Sequence, residues 1–286
     1  MNKVSNNSLL ALKDFFYSEM VSILGEREAE LYFERLCQDL LGIDKAQRIL
    51  SKDIRLSESQ ILLGLNAIKE LKTKRPLAYV LGVQYFYGLP ISVKEGVLIP
   101  RPETEELVQW VTEEKGVKLK VIDMCSGSGC IGLAIKNQKP SWEVMGYDVS
   151  DEALRQSRGN ALKLDLACDF LRYDLLDEKS ELKLECDIIV GNPPYVLESE
   201  KLEMDESVLN FEPTLALFVN DQQPLLFYEK ISDFALTHLR REGALFFEIN
   251  ECFGLMTLKM LQAKGFSSIE LRKDMQGKDR MIKAIK

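Results

Sequence analysis

Val121-Ile122-Asp123-Met124-Cys125-Ser126-Gly127-Ser128-Gly129-Cys130-Ile131-Gly132 runs from an apolar strand through an acidic residue into a loop of small residues, then opens a helix. Glycines in such a loop let the backbone approach a ligand and tolerate positive φ. Outward from it, strand and helix patterns alternate. Strands are expected at 119–124, 143–148, 169–173, 186–191 and 243–249, and helices at 129–137, 151–163, 223–240 and 254–264. That alternation predicts an α/β fold with a doubly wound parallel sheet. Two last strands, near 267–273 and 280–286, have no helix between them and predict an antiparallel hairpin at the sheet edge.

Three strand ends carry chemistry. The first is the loop itself, which could equally set a pyrophosphate on a helix N-terminus or bind nothing. The second is Asp148, at the tip of the strand after Gly129. An acid there can accept from both hydroxyls of a ribose, or it can cap the next helix. Asp174, after Phe170-Leu171-Arg172-Tyr173, is placed to meet an adenine, with Leu175 packing on the ring; an Asp also suits any turn after a strand. The third is Gly191-Asn192-Pro193-Pro194-Tyr195, after the apolar run Cys186–Val190. The prolines fix the backbone and remove two donors, so their carbonyls and the Asn192 side chain can face a ligand as acceptors. Tyr195 adds a flat π face. Such a cluster suits a planar NH₂ group held by its two N–H bonds and facing an electrophile.

Upstream, the first 75 residues read as helices. Leu9, Leu12, Phe16, Met20 and Leu24 share a face; Ala29, Phe33, Leu36 and Leu40 share another after a break near Gly25. Ser57 with Gln60 predicts a capped helix start. Residues 79–100 favour strands and predict a β-hairpin linking residues 1–78 to residues 101–286. Pro102 then opens a helix through Leu107, Val108 and Val111.

The chain has 286 residues, ample for two domains. Residues 1–90 hold 12 Lys/Arg and 11 Asp/Glu, or +1; the other 196 hold 25 and 34, or −9 against a net charge of −8 for the chain. That balance argues against a broad phosphate-binding surface. No long apolar run predicts a membrane span, and the polar start, Met1 to Ser8, does not read as a secretory signal. Six cysteines without a Cys-x-x-Cys pair, and the single His238, argue against a zinc site and against a His-based nucleophile couple. His238 reads as a satisfied or surface residue, and the acidic run Glu198 to Glu206 as a solvated, mobile flank.

In this order the three sites resemble the class I methyltransferases that use S-adenosylmethionine. Asn192-Pro193-Pro194-Tyr195 is similar to the element of enzymes that methylate planar amino groups in adenine, cytosine or glutamine. Leu98-Ile99-Pro100-Arg101-Pro102-Glu103-Thr104-Glu105, the Gln84–Gly88 hairpin and Asn210-Phe211-Glu212-Pro213 resemble the signatures of the peptide-chain release factor glutamine methyltransferases. The resemblance implies a Rossmann-like, seven-stranded, mostly parallel sheet with an antiparallel edge hairpin, plus a small N-terminal helical bundle that binds the release factor. It implies a monomeric cytoplasmic enzyme, without direct nucleic-acid or membrane binding. That enzyme would methylate the glutamine amide of the Gly-Gly-Gln motif in class 1 release factors and release S-adenosyl-L-homocysteine.

By the same resemblance, Asn192, Pro193 and Tyr195 are catalytic and, with Pro194, Arg101 and Glu103, bind substrate; Thr104 lines or braces the pocket. Asp123, Cys125, Ser126, Gly127, Ser128, Gly129, Asp148, Asp174, Leu175 and Asn192 bind the cofactor. One departure stands out: Cys125 occupies the place of the family's first loop glycine, which it fits at negative φ and strains at positive φ. The rival readings are a glutamine methyltransferase for a ribosomal protein, a DNA adenine methyltransferase, a silent binding module on the same fold, and a nicotinamide-dependent oxidoreductase.

Overall fold

The computed structural model describes residues 4–51, 53–177, 182 and 184–286, so Met1 to Lys3 of the polar start lie outside it. Contacts divide the chain into two compact units: residues up to Val83 with Glu206–Phe211, and Gln84–Asp205 with Glu212–Lys286.

The first unit is helical: α1 (Leu9–Leu24), α2 (Glu26–Arg35), a π-helical turn (Leu36–Leu40), α3 (Lys45–Leu50), α4 (Glu58–Leu71) and α5 (Leu77–Leu81). The break expected near Gly25 lies between α1 and α2, where its φ is 79°. The predicted cap opens α4: Gln60 N–H donates to Ser57 Oγ at 3.2 Å, and Ser57 N–H to Gln60 Oε1 at 3.0 Å. Leu12, Phe16, Met20, Phe33, Leu36 and Ile68 form the buried core, as the helical spacing requires.

The second unit opens on the hairpin of β1 (Val83–Phe86) and β2 (Leu89–Ser92). Its turn residues, Tyr87 and Gly88, both have positive φ, the geometry that matches strand twist. The order continues with α6 (Pro102–Thr112), β3 (Lys120–Met124), α7 (Cys130–Gln138), β4 (Glu143–Asp148), α8 (Asp151–Leu164), β5 (Cys168–Arg172), β6 (Cys186–Gly191) and β7 (Val196–Leu197). It ends with α9 (Glu206–Phe211, grouped with the first unit), α10 (Thr214–Leu217), β8 (Phe218–Val219), α11 (Leu226–His238), β9 (Leu239–Glu248), α12 (Gly254–Lys264), β10 (Ser267–Lys273) and β11 (Asp279–Ile285).

The main sheet has seven strands in the order β10-β11-β9-β6-β3-β4-β5. All pairs from β9 to β5 are parallel; β11 runs antiparallel to β9 and β10, the edge hairpin expected. The order reverses between β3 and β6. Their last residues, Met124 and Gly191, are register partners, so the loop after β3 and the loop after β6 leave side by side at the switch point. Apolar β3 and β6 residues, such as Ile122 and Ile189, are fully covered, as a sheet clothed on both faces demands.

Three segments differ from expectation. Tyr79 and Val80 of the expected 79–100 hairpin lie in helix α5, which ends at Gly82 with φ 71°, so the hairpin's strands are only β1 and β2. β9 starts at Leu239, inside the expected helix, because a register break opposite Cys186/Ile188 lets exposed Arg240, Arg241 and Glu242 bulge outward. The acidic run after β7 is not a plain solvated flank: Glu198–Glu203 forms a 3₁₀ helix, and Glu200 accepts from Leu197 N–H at 2.7 Å. His238 is buried, not on the surface, and is stacked on Phe234; its Nδ1 lies 2.8 Å from the Phe234 carbonyl and its Nε2 2.9 Å from the Leu182 carbonyl, so a ring N–H has a backbone acceptor. Among the described residues no helix is long and apolar enough to cross a membrane.

Candidate active site

A cavity of about 350 Å³ opens at the switch point, within the range of small-molecule sites. Of the residues singled out in sequence, Arg101, Cys125, Ser126, Gly127, Ser128, Asp148, Asp174, Leu175, Asn192 and Pro194 line it, as does Thr104. Asp123, Gly129, Glu103, Pro193 and Tyr195 are not among its lining residues.

Asp123 and Gly129 act behind the loop. Asp123 is fully buried and accepts from Gly132 N–H at 2.9 Å, fixing the first turn of α7. Gly129 has φ 79°, and a Cβ there would meet Phe170 at 2.7 Å and Ser157 at 2.9 Å; only glycine lets the loop close on α8 and β5. At Gly127, φ is 54° and nothing lies within 4 Å of a built Cβ, so a side chain would project into open space at the cavity wall.

Cys125 has φ 61°. The condition for strain is met: an L-residue here costs about 1–2 kcal/mol. Cys125→Val, β-branched, should lower the unfolding midpoint by several degrees, whereas Cys125→Gly should not lower it. Equal midpoints for all three proteins would show that the loop stores no strain at this position. Burial, reinforced by Asp148 and Asp123, pushes the Cys125 thiol far up, so it is a packing residue without thiolate character.

Burial raises the Asp123 carboxyl from 3.8 to about 7, opposed by Gly132 N–H and reinforced by Asp148. The folded state then keeps a proton that the unfolded chain has lost. Stability therefore falls as pH rises between about 4 and 7. Asp123→Asn removes this titration. Urea unfolding should show the wild type losing ground against the variant across that window; a pH-independent difference would mean that Asp123 is ionised throughout.

Asp148 links two loops. Its Oδ2 accepts from Gly127 N–H at 2.8 Å and its Oδ1 from Ser150 N–H at 2.9 Å. It is not the cap of α8: Ser150 is, its Oγ accepting from Ala153 N–H at 3.3 Å. Asp174 is held in a turn by Leu176 N–H at 2.9 Å and still lines the cavity.

On the other side, Asn192 Nδ2 donates to Thr104 Oγ1 at 3.3 Å, and Thr104 Oγ1 donates to Glu248 Oε2 at 2.6 Å. Tyr195 Oη donates to Glu248 Oε1 at 3.1 Å. Glu248 was missed in sequence. Its signal was a lone acid inside the apolar run Ala244–Ile249. Arg101 pairs with buried Glu212 at 2.6 Å, and Glu212 also accepts from Ile99 N–H at 3.2 Å. Ile99 and Arg101 are thus joined in one brace to Glu212, far away in sequence. Phe227 of α11, also in the wall, had no readable signal.

The arrangement suits a cationic, nucleoside-bearing group. Ser126 Oγ, in the wall, is buried without a hydrogen-bond partner among the described residues, Asp148 offers acceptors at the tip of β4, and the remaining wall is largely apolar, with Leu98 and Leu175. The sheet order and this site define a class I methyltransferase. The chain is 40% identical over 273 residues to a release factor glutamine methyltransferase of Flavobacterium psychrophilum, covering 94% of this chain and 95% of that one. It belongs to the release factor glutamine methyltransferase family. The homologue of Bacteroides thetaiotaomicron is 37% identical, with 99% of each chain covered. Family models for a PrmC N-terminal domain and a methyltransferase small domain match residues 18–82 and 102–210. Among solved structures, a methyltransferase from Pyrococcus furiosus superposes with TM-score 0.56 at 14% identity (76% of this chain, 98% of that one), a likeness of fold alone.

Proposed function

We propose that this chain methylates the side-chain amide nitrogen of the glutamine in the Gly-Gly-Gln motif of class 1 release factors, using S-adenosylmethionine. The carrying observation is Asn192: it lines the cavity at the end of β6, with its NH₂ turned to Thr104, beside the glycine loop at the end of β3. The names of the full-length relatives support the substrate.

When bound, S-adenosylmethionine supplies an electrophilic methyl group on a sulfonium. Asp148 would hold the ribose hydroxyls, and Asp174 with Leu175 the adenine. Ser126, Gly127, Ser128 and Cys125 would shape the wall around the methionine part, with Asp123 and Gly129 supporting them. The Asn192 side-chain oxygen and the Pro193 carbonyl would accept the two N–H bonds of the substrate amide, with Tyr195 packed over its plane. Both acceptors would draw positive charge off the nitrogen as its lone pair takes the methyl group, the S–CH₃ bond breaking and its electron pair staying on the sulfur of the leaving S-adenosyl-L-homocysteine. The proton leaves to water afterwards, so no strong base is needed. Arg101, braced by Glu212, and Glu103 would line the substrate's approach. Residues 1–78 would dock the release factor, and the enzyme would work as a cytoplasmic monomer without nucleic-acid or membrane contact.

The test is incubation with labelled S-adenosylmethionine and a purified release factor, beside its Gly-Gly-Ala variant, ribosomal proteins and duplex DNA. Label on the release factor, lost in the variant, is the expected result. Label only on DNA or a ribosomal protein would overturn the partner and keep the chemistry. No label and no cofactor binding would favour a silent module.

A further inference from the structure

Glu248, the buried acid at the end of β9, takes no part in the function proposed above. Its two oxygens are both engaged by hydroxyls, Thr104 at 2.6 Å and Tyr195 at 3.1 Å, and it is 1% exposed. We infer that Glu248 is a positioning residue that acts through the Thr104 hydroxyl and decides which way round the Asn192 amide stands. The inference rests on the proposed role of Asn192 as acceptor for the substrate amide.

An ionised carboxylate only accepts, and threonine has a single hydroxyl proton. That proton goes to Glu248, so the lone pairs left on Thr104 Oγ1 can only accept. Asn192 must then present its NH₂ to Thr104, as it does at 3.3 Å, and its oxygen is turned to the other side. Without Glu248, Thr104 could donate to Asn192 instead. The amide would then stand equally well the other way round, with NH₂ facing the NH₂ of a substrate. The same carboxylate holds the Tyr195 hydroxyl, so one buried charge sets two members of the Asn192–Tyr195 loop. Burial raises the Glu248 carboxyl, and Glu103 adds to this. The Thr104 and Tyr195 hydroxyls and the Arg280 guanidinium oppose it and favour the charged form.

The sequence distance explains why this is invisible in one dimension: Thr104 is on α6, Asn192 follows β6, and Glu248 closes β9. β6 and β9 are parallel neighbours, with Gly191 the register partner of Phe247, so Asn192 and Glu248 extend adjacent strands at the same level.

The test uses the full-length protein with ¹⁵N-labelled asparagine, the Asn192 side-chain amide signal being identified by its loss in Asn192→Asp. Thr104→Val keeps the shape and removes the hydroxyl; it should move or broaden that signal, and Thr104→Ser should restore it. In transfer assays Thr104→Val should lower kcat by about 10- to 100-fold, as expected for a misoriented reacting group, and Thr104→Ser should recover it to within a few-fold. Glu248→Gln, checked for an intact thermal transition, should shift the Asn192 signal no further when added to Thr104→Val, because both cut one chain to that amide. An unmoved Asn192 signal in Thr104→Val, or a further shift of it in the double variant, would overturn the inference. The amide signal is read without substrate, so a release factor that accepts no methyl would refute the proposed function and leave this result standing.

Discussion

Asn192→Ala is expected to lower the rate of methyl transfer by about 10³-fold, the upper range for removing one preorganised charge-stabilising partner, while S-adenosylmethionine should still bind within a few-fold. The nucleophile in this reading is a primary amide, whose lone pair is delocalised into its carbonyl. It reacts only if it is held against the electrophile and if the charge that builds on nitrogen is drawn off. Alanine removes the Asn192 oxygen together with the NH₂ that donates to Thr104 Oγ1, while Thr104 keeps its bond to Glu248. The cofactor side of the cavity, at the tips of β3 and β4, is untouched. Single-turnover transfer to a release factor, with cofactor binding by calorimetry, measures both. Full activity in the variant would remove Asn192 from the reaction. Asn192→Asp is expected to be nearly as poor: it keeps an oxygen for the substrate but turns a second one toward a Thr104 hydroxyl whose proton is already given to Glu248.

How much of this could be read from sequence follows from where each signal is stored. The strands β3, β4 and β6 are apolar runs ended by a polar tip, so their positions and the residues Asp148 and Asn192 are local facts. The edge hairpin was legible because no helix separates its strands. β9 was misjudged at its start because exposed Arg240, Arg241 and Glu242 carry no alternation, and the bulge that admits them depends on pairing with β6. The Glu212–Arg101 brace and the Glu248–Thr104–Asn192 chain join residues about a hundred positions apart, and each partner alone resembles an ordinary charged residue. The backbone sign at Cys125 also came only with the structure, because one residue type tolerates both signs at unequal cost.

The same distinction governs Asp148, whose position was legible and whose duty was only half so. Asp148→Ala should weaken S-adenosylmethionine binding by about 1–3 kcal/mol, the range for leaving buried polar groups unpaired, or about 5- to 150-fold. A residue that served only the ribose would change affinity alone. Here the carboxylate also takes Gly127 N–H and Ser150 N–H, so its removal leaves two backbone donors unanswered and loosens the loop that walls the cavity. The variant should therefore unfold at lower temperature even without ligand. Asp148→Asn separates the two duties. Its single side-chain oxygen can serve Gly127 or Ser150 but not both, and its NH₂ faces a donor in either orientation. Asparagine should thus restore part of the stability and little of the affinity. Titration calorimetry and thermal unfolding of the ligand-free proteins give the two readings. Unchanged affinity in Asp148→Ala would rule out the ribose role. Unchanged ligand-free stability would show that the Gly127 loop holds its shape without this carboxylate.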